Sequence, residues 1–497
     1  MTRSDLKRAV LSGLAAASLL NLAMFDSWKM ILDPVRSATL WYRPTAEACL
    51  AAVAVCALAF LTGALLATAM GPAPSRVVRV VSDLFLLSSS LLILNLVPPA
   101  VLLPQHDSWF LPVAGLLLVL LSLRWHRRLA HGFYLLLLLL SPFLLVTAGR
   151  AGLVALTADF ATLDHTVPSL GLTRPRPGVR VVVLVFDEMD FNYAFPSRPA
   201  SLRLPAFDSL RRHAFFAMDA HAPARSTRSA IPSYLIGREV DSAIAGKPGE
   251  YLARVVGDSI PLDINVEPGM FDDATLLGAR SAVVGYHVPY CGLAFARLLE
   301  HCTWRPNSRG GVLDGRIGLP RAVLRQLSAL LLIGISNRAA QEDRIRYLED
   351  AALRAASDSA LRLVFVHLPL PHFPPVWDEQ HGRFTWTQFH TSGYFDNLAL
   401  ADHVLSRILA ATQQSGLQEQ TVFVVTSDHS WRGGSIDGIP PGTTVPFMVR
   451  FPNGAGREWT PRFETVRLRA LVSILLTGDV HDEAGLAVWA AFRQTLR

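Results

Sequence analysis

The first third of the chain is apolar enough to predict a membrane-embedded region. Five apolar segments precede residue 158, over about 9–25, 48–70, 77–103, 110–123 and 132–156. A helix that crosses a bilayer needs about 20 apolar residues, and lipid favours helices because it offers the backbone no hydrogen-bond partners. We therefore predict a helical membrane domain over residues 1–157 with about five spans, of which the fourth is short.

Basic residues predict how these spans are oriented. They gather at the N-terminus and in the loops after the second and fourth segments: Arg3, Lys7, Arg8, Arg76, Arg79, Arg124, Arg127 and Arg128. Such loops stay on the cytoplasmic side, although the loop after the first segment is also basic. We predict a multi-pass protein of a bacterial inner membrane, with a Gram-positive envelope as the alternative. Residues 158–178 then form an interfacial helix and linker, and a domain over 179–497 faces the periplasm.

Composition argues against two function classes. Although the formal net charge is +6, the Arg residues are scattered and no basic stripe is interleaved with aromatic residues. We therefore expect no nucleic-acid partner. Asp83 lies close to the cytoplasmic end of the third segment, and no segment carries the several charges that a pump or channel needs. A transporter is therefore the least favoured function.

Two buried strands far apart in the sequence each end in an acidic residue. Residues 179–186 are apolar except for one Arg and run into Asp187, and residues 421–427 run into Asp428 and His429. The carboxyl ends of parallel strands lie at one edge of a sheet, where ligands bind. Carboxylate oxygens and an imidazole nitrogen can bind one divalent cation. The alternative is that these residues only cap the turns that follow.

A segment rich in hydroxyl groups, residues 222–237, lies between these two strands. Pro232 is placed early in a helix-like run, which puts Thr227 at or near a helix N-terminus. Backbone donors and the positive end of the helix dipole favour an alkoxide or an anionic group there. A simple N-cap role is the alternative.

His372 lies in a proline-rich loop after the predicted strand 361–367, where it could bind an anion or donate a proton, or be an ordinary surface residue.

Cys291 and Cys302 are the cysteines outside the membrane region. In an exported domain this pair favours a disulfide over a metal pair.

These motifs, in this order, resemble the sulfatase-like branch of the alkaline phosphatase superfamily. The resemblance covers about residues 179–452 through VLVFDE, LPAFDSL, APARSTRSAIPSYLIG, HLPLPHFP, TSDHS and VPFMVRFP. The predicted arrangement, with five spans ahead of an external domain, resembles that of the lipid A phosphoethanolamine transferases and the lipoteichoic acid synthases. The resemblance implies an α/β alkaline-phosphatase-like domain with a mostly parallel central sheet.

The resemblance also implies roles for individual residues. Thr227 falls on the nucleophile and on a metal ligand, Asp187, Asp428 and His429 fall on the other ligands, and His372 matches a substrate-side histidine. The implied cofactor is a divalent metal, for which we predict zinc, with manganese or calcium as alternatives. Thr227 stands where arylsulfatases carry a Cys or Ser in a C-x-P-S-R motif, so the segment departs from sulfatases that use formylglycine.

We therefore predict a membrane-anchored, metal-dependent transferase. It would move a phospho-substituent from a membrane lipid donor to an envelope glycan or lipid through a covalent Thr227 intermediate. One alternative is an exported hydrolase of the sulfatase or phosphatase type. The other is an inactive family member that acts as a scaffold in envelope assembly.

Overall fold

The computed structural model describes most of the chain as two compact units. The described residues are 2–32, 45–72, 74–89, 110–157, 164–166, 179–245, 250–307, 311, 317–388 and 390–494. The first unit comprises Met1–Ser37, Arg43–Phe160 and Ser308–Asn337, and the second comprises Ala38–Tyr42, Ala161–Asn307 and Arg338–Arg497. Residues 308–337, which lie within the domain predicted over 179–497, are grouped with the first unit, and the predicted domain boundaries stay a prediction.

Apolar helices make up the N-terminal part of the first unit. They are α1 (Arg3–Ala23), α2 (Phe25–Leu32), α3 (Ala46–Met70), α4 (Arg76–Ser89), α5 (Phe110–Leu139) and α6 (Pro142–Thr157). By length and composition, α1 and α3 could each cross a membrane. Arg124–Leu139 and Pro142–Leu156 form a pair bent by 42° that could serve as one further span.

The described residues thus contain two or three candidate spans, which corrects the five that we predicted. The third predicted segment, 77–103, continues beyond Ser89 into residues outside the described part. The fourth segment does not stand alone, because α5 continues through the basic loop with a kink at Trp125 (φ −122°, ψ 22°). Apolar length alone did not show where a helix would continue or bend.

Small residues allow the first and third helices to approach closely. A Cβ atom built on Gly13 would lie 2.8 Å from the Phe60 ring, and one on Gly63 would lie 2.6 Å from the Ser12 carbonyl oxygen. Close backbone approach at small residues is a common way for membrane helices to associate, since dispersion contacts then replace lipid contacts.

The remaining elements alternate between helix and strand. The helices are α7 (Phe191–Ala194), α8 (Pro205–Arg212), α9 (Thr227–Ile236), α10 (Met270–Leu276), α11 (Leu319–Leu331), α12 (Ile333–Ser357), α13 (Gly393–Gln414), α14 (Leu468–Thr477) and α15 (Glu483–Gln494). The strands in the first half are β1 (Asp164–Thr166), β2 (Arg180–Asp187), β3 (Phe215–Ala217), β4 (Ala220–His221), β5 (Val240–Ala245), β6 (Tyr251–Val255), β7 (Leu262–Asp263), β8 (Ser281–Tyr286) and β9 (Leu299–Arg305). Those in the second half are β10 (Leu363–Pro371), β11 (Trp377–Asp378), β12 (Arg383–Phe384), β13 (Thr421–Ser427), β14 (Phe447–Arg450), β15 (Arg457–Trp459) and β16 (Phe463–Glu464).

The second unit is built on a nine-stranded sheet in the order β1-β9-β8-β10-β2-β13-β14-β3-β15. The strands from β9 to β13 in this order are parallel, whereas β1, β14 and β3 add antiparallel pairs. The central strands β2, β10 and β13 are buried along their whole length. Such continuous apolar runs are typical of parallel strands covered on both faces. The predicted α/β domain with a mostly parallel sheet is confirmed.

The disulfide predicted between Cys291 and Cys302 is confirmed. Within the connector, Asp164–Thr166 form β1, which pairs with β9, and the interfacial helix and linker stay a prediction. The rest of that connector, 158–163 and 167–178, lies outside the described residues.

A buried carboxylate joins two helices of the second unit. Helix α8 begins at Pro205 after Leu204, whose side chain has no acceptor for the free N–H groups of the first turn. Asp402 of α13 supplies it, accepting from the Ala206 N–H at 3.1 Å and the Phe207 N–H at 2.8 Å. Asp402 is 2% exposed, and this burial raises the pKa of its carboxyl to about 6.

Asp402→Ala should lower the stability of the second unit by about 2 kcal/mol, because two buried N–H groups would lose their acceptor. Thermal unfolding of the detergent-solubilised full chain measures the change. Glu419→Ala, at an exposed position, is the control and should be nearly neutral. Equal effects of both substitutions would contradict the capping role.

The cost of Asp402→Asn should also depend on pH. A carboxyl whose pKa is raised by folding contributes its stabilisation below the unfolded value and loses it as pH rises through the folded value, here about 6. Because Asn does not titrate, Asp402→Asn should cost more stability near about pH 4.5 than near about pH 8. The opposite trend would contradict the assigned direction.

Candidate functional site

The carboxyl ends of β2 and β13 are fastened to each other by hydrogen bonds. The Asp428 N–H donates to the Phe186 carbonyl at 3.1 Å, and the Glu188 N–H donates to Asp428 Oδ1 at 3.0 Å. Ser427 Oγ accepts from the Met189 N–H at 2.8 Å. The two acidic strand ends that we expected at one sheet edge are therefore adjacent.

Thr227 faces this pair of strand ends from the first position of α9. Its side chain is buried, and its Oγ lies 3.4 Å from Asp187 Oδ1 and 3.3 Å from His429 Nε2. His429 Nε2 lies 3.7 Å from Asp187 Oδ1 and 3.4 Å from Asp428 Oδ2. The structure thus brings together all four residues that we predicted as metal ligands.

Helix α9 is anchored so that its first residue reaches the strand ends. The Tyr234 hydroxyl donates to the Ser427 carbonyl at 2.7 Å and lies 3.0 Å from Thr465 Oγ. Tyr234 is fully buried, and burial raises the pKa of its hydroxyl well above the ordinary value. The phenol therefore stays a neutral hydrogen-bond donor that ties the helix to β13.

His367 is a further member of the cluster that the sequence interpretation missed. Ligand atoms of Asp187, His367 and Asp428 all lie within 4.8 Å of one another, and all three residues are buried. Its Nδ1 lies 3.0 Å from the Tyr290 hydroxyl oxygen. The sequence did contain a signal for His367. The predicted strand 361–367 ends on this histidine, just as the other two predicted strands run into acidic residues. Burial lowers the pKa of His367 to about 4, so its ring is neutral near pH 7.

The electrostatics of the cluster are unfavourable without a cation. Burial, followed by the charges of Asp428 and Glu188, raises the pKa of Asp187 well above its usual range. Burial alone would also raise the pKa of Asp428, but the His429 and His367 rings beside it hold that pKa below the ordinary value. Two adjacent carboxylates in a dry site do not both ionise unless positive charge is nearby.

The residues present fit a divalent metal. His367 Nε2 and Asp428 Oδ2 are buried and, among the described residues, have no hydrogen-bond partner. His429 Nδ1 lies 2.9 Å from the Ser430 carbonyl oxygen, so it can donate to that oxygen and leave Nε2 as an acceptor. The separations of 3.3 to 3.7 Å around Thr227, Asp187 and His429 suit ligands of one ion, which lie roughly 3–4 Å apart.

His372 lies on the rim of the cluster beside Glu188. Its Nδ1 is 2.6 Å from the Phe373 carbonyl oxygen, and its Nε2 is 3.9 Å from Glu188 Oε2. Glu188 also accepts from Arg432 Nε at 3.0 Å and has a positive φ of 69°. Strained backbone of this kind concentrates at functional sites. Burial lowers the pKa of His372, which leaves its ring neutral near pH 7.

Asn397 of α13 holds the loop that carries His372. Its Oδ1 accepts from the Val376 N–H at 2.9 Å, and its Nδ2 lies 3.2 to 3.3 Å from the carbonyl oxygens of Pro371, His372 and Pro374. The side chain is fully buried. One buried amide therefore anchors this loop at four backbone groups.

A second histidine that sequence reasoning missed is His287, just after β8. Its side chain is half-buried, its φ is a positive 65°, and its buried Nδ1 has no hydrogen-bond partner within the described part of the chain. Burial, then the charge of Arg228, lowers the pKa of His287 to about 3. No pattern around His287 distinguished it from a histidine in a loop.

Comparison with known proteins finds a sulfatase domain in the C-terminal half of the chain. A sulfatase family model matches residues 340–469, which include His367, His372, Asp428 and His429. No curated protein matches the chain.

Solved structures with a similar chain path come from several enzymes. Ps i-CgsB in complex with k-i-k-neocarrahexaose is 12% identical, with 64% of this chain and 77% of that chain covered at a TM-score of 0.44. The phosphonate monoester hydrolase of Agrobacterium radiobacter is 14% identical over 60% and 77%, at a TM-score of 0.39. PsFucS1 sulfatase from Pseudoalteromonas sp. is 11% identical over 61% and 68%, also at 0.39.

With TM-scores below 0.5, these likenesses carry no weight in the assignment, which rests on the matched family model. By this match the chain contains a sulfatase-family domain over residues 340–469 and is an enzyme.

Proposed function

We propose that the enzyme transfers a phospho-substituent from a membrane lipid donor to an envelope glycan or lipid, with Thr227 as the nucleophile. The observation that carries the proposal is the position of Thr227 Oγ, buried at a helix N-terminus between Asp187 and His429. Donors and the helix dipole at this end favour the negative charge that develops on an attacking oxygen.

The proposed metal ligands are Asp187, Thr227, Asp428 and His429, and we add His367 to this set. A divalent cation bound there, for which zinc is our first choice, would lower the pKa of the Thr227 hydroxyl and offset charge on the phosphoryl oxygens. The chain itself supplies the buried cluster that excludes water and holds the nucleophile in place.

The chemistry at Thr227 proceeds in two steps. Its oxygen forms a bond to phosphorus while the bond from phosphorus to the leaving oxygen of the donor breaks. His372 Nε2, whose ring is oriented by the Phe373 carbonyl, takes up the proton that the Thr227 hydroxyl loses and passes it to that leaving oxygen. The hydroxyl of the acceptor then takes the group from Thr227, which regains its hydroxyl. A threonine here does not support the formylglycine chemistry of classical sulfatases.

The candidate spans favour a lipid donor. Helices α1 and α3 are long and apolar enough to cross a membrane, and such an anchor would keep the active site close to a lipid substrate. We further propose an inner-membrane location with the catalytic domain, predicted over 179–497, in the periplasm.

Hydrolysis is the second candidate function, and the match to a sulfatase family model favours it. The same residues would act, with water in place of the acceptor alcohol. A phosphorus-labelled phosphatidylethanolamine donor in native-membrane vesicles separates the two. Label that moves to a glycan or lipid fraction supports transfer, whereas label that appears only as a free, water-soluble product supports hydrolysis.

Thr227→Ala should reduce turnover by at least about 10³-fold while leaving the melting temperature unchanged, because the group that becomes covalently attached is lost. Thr227→Ser keeps a hydroxyl and should retain measurable activity. Mass spectrometry of the Thr227 peptide from protein purified out of native membranes should show an added group in the parent and none in Thr227→Ala. Substantial turnover by Thr227→Ala would refute the nucleophile.

His367→Ala should weaken metal binding by more than the roughly 10–100-fold that loss of an outer-shell partner costs. Metal content after dialysis against a graded chelator, read by elemental mass spectrometry, measures the affinity. His403→Ala is the matched control, because His403 is half exposed and lies beside Glu379. If the metal affinity of His367→Ala equals that of the control, His367 is not a ligand.

Asn397→Leu should lower kcat by about 10- to 100-fold with metal content unchanged, since the loop that carries His372 would lose its anchor. A double-mutant cycle tests whether Asn397 acts through His372. Adding Asn397→Leu to His372→Ala should cause little further loss, because residues that act as one unit are not additive. Fully additive losses would assign Asn397 a separate role.

A further inference from the structure

Helix α11 (Leu319–Leu331) is a part of the first unit that comes from the middle of the chain. Residues Ser308–Asn337 cluster with the apolar N-terminal helices, although the residues on both sides of them belong to the second unit. Neither the proposed reaction nor the sulfatase match at 340–469 accounts for this arrangement.

A buried glutamine fixes α11 against the start of a candidate span. Gln326 is fully buried, and its Oε1 accepts from the Trp28 indole N–H at 3.2 Å. Its Nε2 donates to the Ala48 carbonyl at 2.8 Å, in the first turn of α3. Both polar atoms of the Gln326 amide therefore have a hydrogen-bond partner, one in α2 and one at the start of α3. Trp28 lies in α2, which directly follows the candidate span α1, and tryptophans near the ends of membrane spans are typical of the membrane–water interface.

The side of α11 that faces away from this contact carries large exposed leucines. Among the described side chains of the helix, the buried ones are Ala322, Gln326, Ala329 and Leu330. Large leucines are exposed instead, with exposed fractions of 65% for Leu324 and 55% for Leu332 just beyond the helix. In a helix that faces water the distribution is the reverse, with large apolar residues inside.

The charge around α11 has one sign. Residues 315–341 contain no Asp or Glu. On the helix itself Arg321 is exposed and Arg325 is half-buried, whereas Arg338 beyond it is buried and donates to the Gln388 carbonyl. Exposed leucines flanked by arginines are the composition of helices that lie in the membrane interface. Their apolar face enters the boundary between head groups and acyl chains, and the basic residues contact anionic lipids.

We propose that α11 is an interfacial helix that lies in the head-group region of the bilayer and contacts anionic phospholipid. The contact to α3 and the one-signed charge favour a lipid surface over a second protein copy. The proposal rests on the membrane anchorage described above. It adds a membrane contact in the middle of the chain, because α11 begins about 250 residues after the end of α3.

Nitroxide labels at three positions of the full-length protein test the proposal. Cys49→Ala and Cys56→Ala first remove the two free cysteines. Single labels are then placed with Leu324→Cys on α11, Leu61→Cys on the exposed side of α3, and Arg383→Cys, where the native side chain is 71% exposed. The protein is reconstituted into vesicles of phosphatidylcholine and phosphatidylglycerol. Accessibility to oxygen, which enters lipid, is compared with accessibility to a water-soluble nickel chelate.

The label at position 324 should fall between the other two, at the depth of roughly 5–10 Å into the interface that such helices reach. If the label at position 324 has the accessibility of position 383 while position 61 is accessible to oxygen only, α11 faces water. In that case the proposal for α11 fails, whereas the proposed N-terminal membrane anchor is supported. If position 61 also reads as aqueous, the proposed anchorage fails as well. Low accessibility to both reagents at position 324 would mean that protein covers it, which also overturns the proposal.

A second reading tests the preference for anionic lipid. In vesicles of phosphatidylcholine alone, the label at position 324 should show a lower ratio of oxygen to nickel accessibility, because the arginines lose their partners. An unchanged ratio would overturn the assigned lipid class. Arg321→Gln in the mixed vesicles should shift the ratio in the same direction.

Discussion

The structure of the catalytic unit depends on one electrostatic constraint, which is the burial of Asp187 beside Asp428. Two carboxylates at neighbouring strand ends repel each other, and removal from water makes the charged form of each still less favourable. Folding tolerates the pair because the His367 and His429 rings and backbone N–H groups surround it, and because a divalent cation can offset the charge. The same arrangement makes the site reactive, since the nucleophile Thr227 proposed here lies within 3.4 Å of both Asp187 and His429.

Residues outside the cluster keep its geometry. Tyr234 ties the helix of Thr227 to β13, Tyr290 contacts the far nitrogen of His367, and Asn397 holds the loop of His372. Each of these contacts joins parts of the chain that are separated in sequence by 25 residues or more. The side chains that position the site are therefore distributed over the whole sheet, and the site is formed only when the sheet is complete.

Helix α11 shows that the division between anchor and enzyme does not follow the sequence in two simple blocks. The chain leaves the catalytic unit, packs Gln326 against Trp28 and Ala48, and returns before α12 ends. Such an insertion is tolerated because every polar atom of the buried amide has a partner. The interfacial position proposed for α11 would place its exposed leucines against lipid, which removes the cost that water would impose on them.

The sequence by itself determined the apolar N-terminal region, the buried strands predicted over 179–186 and 421–427, the parallel sheet and the placement of Asp187, Asp428 and His429 near one edge, whereas Thr227 joined them only through the resemblance of its segment to the sulfatase-like branch. These follow from local patterns, since the period and length of apolar runs specify strands and parallel strands align their carboxyl ends. Tertiary structure decided what local patterns do not contain. His367 joins the cluster because β10 pairs with β2 in one register, with His367 opposite Val185. The kink in α5, the anchoring of the His372 loop by Asn397 and the place of α11 likewise depend on contacts between residues far apart in the sequence, which no single segment encodes.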